Sequence, residues 1–432
     1  MRSVAGHGAF AGRLPLIDVD FPLLNAETES FISAISFRDR VRSHSQVTFD
    51  ELDTSPKHTS DSFEDSLDLM LTNGWNRHGQ RLESLTPPLP WKEFDGSFSF
   101  SLHAWEPVSF LLKGSCVAKT LEKREKYFQA SRAFALDWIE NFQVPAFEVG
   151  PETAISQDYS KIAGYAWYDM AVGQRIYRLA FVLEQECRDE NADITVIELL
   201  IRSLKFHNDA LAIDGFFRAH SNHGIYQALG QLAACNRFVE VDAQFALPLA
   251  LAKERLAQIL DAHFTDDNIH KEHSPGYHWM VLGSLIGAQQ TKLVTDPKIL
   301  SRFAGMEIGL ADMILPNFQM CTFGDSDPRN MARVPVFPVD GEPTSFGNAR
   351  RFLTENMKFI VTSGHLGQYP VPCVREYKSA GYAFARIHAP GIEPHIRKLF
   401  LSRADGGVSF AHAQTCRSSR LHLARPEAGH FD

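Results

Sequence analysis

From about Ser60 to Leu315 the apolar residues return every three or four positions, and no other feature limits the folds open to this chain so strongly. Within Leu121 to Phe142, the residues Tyr127, Ala130, Phe134, Trp138 and Phe142 form one stripe, as a half-buried helix requires. Further helices are expected at roughly 164–187, 194–206, 223–240, 245–264, 277–291 and 300–315, with breaks at Pro151, Asp189 to Asp193, Asp266 to Pro275 and Pro316. Consecutive helices of this length predict helical hairpins packed side by side, and no fixed repeat, heptad seam or low-complexity tract argues for another arrangement. After about Asn330 the pattern shortens. Lys358–Thr362, Gly381–Ile387 and Lys398–Arg403 are runs of alternating aromatic or branched residues, which predict strands. The expected fold class is therefore α+β, with the helices and the strands in separate domains.

Composition then narrows the partners. Among 432 residues, 52 acidic side chains exceed 43 basic ones, so there is no general electrostatic reason to bind nucleic acid. An anionic ligand must be held by a local cluster of donors. The 18 histidines supply groups that move protons near neutral pH. The six cysteines are scattered without a Cys-x-x-Cys pair and read as reduced thiols, not a disulfide frame or zinc knot. Pro15, Asp18, Asp20 and Pro22 interrupt the apolar start, so no secretory signal is expected, and no run is long enough to span a membrane. The expected location is cytoplasmic, or periplasmic if the true start lies upstream.

Three polar constellations interrupt the helical background. Phe216-Phe-Arg-Ala-His220-Ser-Asn222-His223-Gly224 leads into a helix, whose first amides and dipole favour an anion such as a carboxylate. The structural alternative is that Asn222 caps the helix. His270-Lys-Glu272-His273-Ser-Pro-Gly-Tyr277-His278 gathers groups suited to proton transfer, or is a surface loop with a Ser-Pro helix start. A zinc site from His270, His273 and His278 fits no single helical face, so no metal is expected there. Phe323-Gly-Asp325-Ser-Asp327-Pro is expected to be a turn whose carboxylates bond their own backbone.

Taken in order, Asn222-His223-Gly224, Glu272-His-Ser-Pro-Gly-Tyr277-His278 and Gly324-Asp-Ser-Asp327 ahead of a β-region resemble the heparinase II/III-like polysaccharide lyases. Phe98-Ser-Phe-Ser-Leu102-His103-Ala-Trp105 and Trp167-Tyr168-Asp169 with Arg175 are similar to that family's N-terminal helical pattern, and the likeness spans most of residues 90–412. The resemblance implies an incomplete (α/α) toroid over 60–330, after an extension and first helix in 1–59, and then an antiparallel β-sandwich beginning in 331–432. The implied substrate is an acidic, uronic-acid-containing polysaccharide or oligosaccharide, cleaved by β-elimination at a cleft between the two domains. The implied catalytic residues are Asn222 and His223 at the substrate carboxylate, Tyr277 as acid or as acid and base, and His412 from the β-domain. Trp105, Trp167, Arg175, His220, Glu272 and His278 are the expected substrate contacts. No cofactor is expected, and the sequence gives no support for a divalent metal in the β-domain.

One departure accompanies the resemblance. The family pattern continues through a His-x-His-x-Asp-like strand, whereas this chain reads His412-Ala-Gln414-Thr-Cys-Arg and then loses strand alternation up to Asp432. The expectation is a truncated or frameshifted sandwich with an exposed edge. Two other readings stay open: a catalytically impaired glycan-binding relative, and a glycoside hydrolase using Asp325 with Glu272.

Overall fold

The computed structural model describes residues 34–44, 61–94, 96–158, 164–315, 317–331, 351–368, 373–387, 397–404 and 407–414, the last two stretches as backbone. The helices are α1 (Ala34–Ser43), α2 (Asp61–Asn73), α3 (Gly96–His103), α4 (Glu106–Val117), α5 (Leu121–Trp138), α6 (Val144–Asp158), α7 (Asp169–Arg188), α8 (Ile194–Ala212), α9 (Asn222–Phe238), α10 (Ala246–His263), α11 (Pro275–Gln290) and α12 (Pro297–Asp312). Local chemistry sets their starts: Thr120, Asp193, Ser274 and Asp296 each accept a hydrogen bond from an amide of the first turn, and Pro275 and Pro297 follow two of these caps. The break expected at Pro151 is a kink within α6, where Gly150 has φ 78°.

Most of the helices pour their apolar stripes into one core, in which Trp105, Trp138, Phe134, Phe181 and Phe238 are almost completely buried. The centre of that core is the crossing of α7 and α9. A Cβ on Gly230 would lie 1.8 Å from the Gly173 carbonyl oxygen, and one on Gly173 would lie 2.6 Å from the Gln227 nitrogen. Only glycine permits backbones to approach so closely. The two helices run parallel, since Asp169 meets His223 at one end and Glu184 meets Arg237 at the other. Two helix starts are thereby brought together on one side of the domain. In the antiparallel pair α9–α10, Gly224 sits against Ile259, and in α11–α12 His278 sits against Met306.

Beyond a two-stranded hairpin, β1 (Trp75–Arg77) and β2 (Gln80–Leu82), the strands β3 (Cys373–Tyr377), β4 (Tyr382–Ile387), β5 (Arg397–Ala404) and β6 (Gly407–Gln414) form an antiparallel meander in the order β3-β4-β5-β6. Tyr377 pairs with Tyr382, Ile387 with Arg397 and Ala404 with Gly407, with a register shift between Leu399 and Leu401. Tyr377, Tyr382 and Phe384 pack on Ile269 and Met313, so the sheet rests on the end of α12 and on the loop before α11. Asp312 fastens this contact by accepting from Arg375 at 2.7 Å and the Tyr377 hydroxyl at 2.7 Å, with Arg386 at 3.3 Å.

One expected strand is corrected. Lys358–Thr362 lies largely in a helix, Glu355–Val361, because Thr354 accepts from the Met357 amide and starts a helical turn. A short apolar run such as Phe-Ile-Val is ambiguous by periodicity, and the cap decides it. The extension expected in residues 1–59 is described only over Ala34–His44, and the chain after Gln414 lies outside the described residues. Among the described residues no helix is long and apolar enough to cross a membrane.

Candidate functional site

The parallel starts of α7 and α9 build the first half of the site. Asp169, the first residue of α7, is 3% exposed and accepts from Arg218 Nε at 2.8 Å, from the Met170 amide at 2.6 Å and from His223 Nδ1 at 2.9 Å. An ionised carboxylate only accepts, so His223 donates its Nδ1–H to Asp169. Burial works to raise the Asp169 carboxyl, but the hydrogen bonds from His223 and Arg218 outweigh it and hold the group below its ordinary range. The rings of Tyr168 and His223 pack in a T-shaped contact with centroids 5.4 Å apart.

Asn222 does not cap α9. It is the first helical residue, Ser221 stands at the cap position without a side-chain cap bond, and among the described residues the Asn222 side chain has no hydrogen-bond partner. The capping alternative therefore fails, and a half-buried amide remains beside His223. Gly224 is needed for packing, since a Cβ there would lie 2.4 Å from the Arg218 carbonyl oxygen.

The start of α11 builds the second half. The Ser274 and Ser326 hydroxyls lie 2.9 Å apart, Gly276 N–H donates to Ser326 Oγ at 2.9 Å, and Tyr277 N–H donates to Ser274 Oγ at 3.4 Å. Gly324 makes this clip possible with φ 57°, and its missing Cβ would lie 2.5 Å from the His273 carbonyl oxygen. The expected role of Asp325 and Asp327 as turn formers passes to Ser326. Both carboxylates are exposed and, with Arg329, line a cavity of about 340 Å³ together with Tyr226, Tyr277, Trp279 and Met280. Tyr226 comes from the first turns of α9 and Tyr277 from the start of α11, so one cavity receives both helix starts. Among the described residues the Tyr277 hydroxyl has no hydrogen-bond partner. A larger groove of about 790 Å³, lined by Arg124, Phe128, Phe181 and Arg188, holds none of the expected site residues.

Four expected substrate contacts are corrected by burial. Trp105 and Arg175 are 0% exposed and Trp167 is 4% exposed. Arg175 donates to the His103 carbonyl at 2.6 Å, the Ala166 carbonyl at 2.8 Å and His207 Nε2 at 2.9 Å, and its guanidinium lies 3.8 Å from the Trp138 ring centroid. It ties helices together and has no face for a sugar. His278 is equally enclosed, between the Met306 carbonyl at 2.9 Å and the His270 amide at 3.4 Å, and burial pushes its imidazole down to about 4. His220 and Glu272 are exposed, and neither is among the described residues that line the cavity holding Tyr277. His412 lies in β6, whose side chains are outside the described residues.

The zinc combination of His270, His273 and His278 is not assembled either, since His273 is exposed against Tyr382 and His278 is engaged in the core. Among the described residues, the side chains able to hold a metal ion are His263, His270 and Glu272, in the helical domain and not in the β-region. No pattern in the sequence marks Asp169, Arg218 or Tyr226 as a site residue. An acid in a first helical turn reads as a dipole complement, and nothing in the chain order reveals that its partner lies two helices away.

Residues 115–336, more than half of the chain, match the family model of the heparinase II/III N-terminus. No curated protein sequence matches significantly. Solved structures do: a heparinase III gene product (TM-score 0.59, 15% identity, 88% of this chain and 58% of that one), heparan sulfate lyase HepC from Pedobacter heparinus (0.58, 16%, 85% and 55%) and a heparinase III (0.58, 18%, 87% and 57%). The chain thus spans less than two thirds of each solved chain. The likeness carries the fold, an incomplete (α/α) toroid followed by an antiparallel β-region.

Proposed function

This chain belongs to the heparinase II/III family, and we propose that it is a polysaccharide lyase that opens a uronic-acid-containing acidic glycan by β-elimination. The observation that carries the reading is His223, held through Nδ1 by the buried Asp169, beside an Asn222 amide that has no hydrogen-bond partner among the described residues. A hydrolase would need neither group.

The C5 proton of a uronate is too weakly acidic to leave unaided. Its removal moves charge onto the neighbouring carboxylate, and donors aimed there lower the barrier. Asn222 supplies one such donor. With Nδ1 tied to Asp169, a proton arriving at Nε2 gives an imidazolium whose charge the buried carboxylate offsets, so His223 joins Asn222 at the uronate. Tyr277 then takes the C5 proton and returns one to the departing C4 oxygen, with His412 as the β-domain partner. Electrons from the C5–H bond form the C4–C5 double bond as the glycosidic C4–O bond breaks, and no water is consumed. Arg329, in the wall of the cavity that holds Tyr277, is the cation opposite an acidic sugar.

The test is ultraviolet absorbance of the unsaturated uronate while the purified chain is incubated with alginate, heparan sulfate, hyaluronan and polyglucuronate. A rise on one substrate, abolished by Tyr277→Phe with substrate binding retained, is the expected result. New reducing ends without absorbance would identify a hydrolase. Binding without either product would identify a glycan-binding relative.

A further inference from the structure

The end of α10 and the loop that leads to α11 contain a group of side chains for which the elimination chemistry has no use. One imidazole nitrogen each from His263 and His270 and a carboxylate oxygen of Glu272 lie within 4.8 Å of one another. His263 is 5% exposed and His270 1% exposed, and among the described residues the buried Nε2 atom of each has no hydrogen-bond partner. Buried ring nitrogens are normally paired, and two orphans side by side are costly unless something else satisfies them. The rings are tilted with centroids 5.6 Å apart.

We propose that His263, His270 and Glu272 form a zinc site in the helical domain. Two imidazoles and one carboxylate leave a fourth tetrahedral position for water, and imidazole ligands disfavour calcium and magnesium. Both rings suit the task because burial holds them neutral, His270 near 3 and His263 below its ordinary value. Ligand atoms around zinc stand roughly 3.4 Å apart, so the cluster must contract, and the exposed Glu272 is the member free to move inward. Ligation through His270 Nε2 requires its proton on Nδ1, which gives up the long 3.3 Å contact from the Glu272 amide.

The consequence lies in what the cluster joins. His263 ends α10 and packs against the Ala219–Ser221 backbone just before Asn222, while the His270 ring stacks 6.5 Å from that of Tyr277. A cation there pins the loop entering α11 to the loop entering α9, making these residues positioning groups for both halves of the cleft. The site itself does not depend on the lyase reading.

The experiment is zinc chloride titration of the chelator-treated chain, read by calorimetry, bound-metal analysis and thermal melting, without substrate. One zinc per chain and a raised melting temperature are expected. Binding should be lost in His263→Ala and His270→Ala, weakened at least about tenfold in Glu272→Ala and unchanged in His273→Ala. If a histidine variant fails to fold, Glu272→Ala decides the matter, because that residue is exposed; visible absorption of bound cobalt(II) then reports the tetrahedral site. The proposal is overturned if the folded chain takes up no stoichiometric zinc, or if Glu272→Ala binds it as tightly as the parent chain.

Discussion

Replacing Asp312 with alanine should release the sheet from the helical domain while leaving the helices intact. Asp312 sits at the end of α12 and is 4% exposed in its side chain; it holds Arg386, which is 5% exposed, Arg375 and the buried Tyr377 hydroxyl. Removing the carboxylate leaves the Arg386 cation buried without its counter-ion, a loss of about 3–5 kcal/mol, and an orphaned phenol adds about 1 kcal/mol. Arg375 is 38% exposed and turns to water at little cost. The opening free energy of the sheet should therefore fall by about 4–6 kcal/mol, equivalent to roughly 10³- to 10⁴-fold faster amide exchange. Native-state hydrogen exchange on peptides covering Cys373–Ile387, with α7 and α9 peptides as the internal reference, measures this directly. The double replacement Asp312→Leu with Arg386→Met should restore most of the protection, because an apolar pair leaves no buried charge. An acceleration below about tenfold in Asp312→Ala, or no recovery in the double variant, would refute the reasoning.

Three further outcomes are expected. Asp169→Asn keeps the shape of the His223 contact but removes the charge that fixes its tautomer, so turnover should fall by about 10² or more at unchanged circular dichroism; full activity would exclude His223 from the chemistry. Gly230→Ala places a Cβ 1.8 Å from the Gly173 carbonyl oxygen and must push α7 from α9, at about 3 kcal/mol in urea denaturation; an unshifted midpoint would show that the crossing yields freely. Burial holds His103 near 3, His278 near 4 and His207 well below 6.5, whereas the unfolded chain takes up these protons at about 6.5. Stability is then complete above pH 6.5 and is lost as pH falls below it, by up to about 4 kcal/mol per pH unit in the metal-free chain; a flat profile between pH 6.5 and 5 would contradict the buried neutral state.

The helices α5 and α7 to α12 were legible because each carries a stripe at helical spacing and a cap or break at its ends, whereas α6 was not, because Gly150 and Pro151 interrupt it. The strands near 381–387 and 398–403 were legible from their alternation, while Lys358–Thr362 was too short for its period to outweigh the Thr354 cap. The site was legible where its residues are adjacent in the chain, as in Asn222-His223 and the loop reaching Tyr277. It was illegible where residues meet through packing. Arg175 resembles a substrate contact by charge, yet its acceptors are backbone carbonyls at positions 103 and 166, which no side-chain pattern announces. Asp169 and His263 were hidden for the same reason, since each finds its partners across a helix pair.

The clip between Ser326 and the first turn of α11 has a consequence for biosynthesis. A chain emerging from the ribosome can form the Asp169–His223 pair once α9 has been made, because both partners and the glycines that align them are then present. Tyr277 must wait. Its helix is delivered soon afterwards, but the hydroxyl that secures the Gly276 amide arrives only with Ser326, after α11 and α12 have been translated. The two halves of the cleft therefore mature in sequence, and a nascent chain holds an oriented histidine before it holds the tyrosine that would use it.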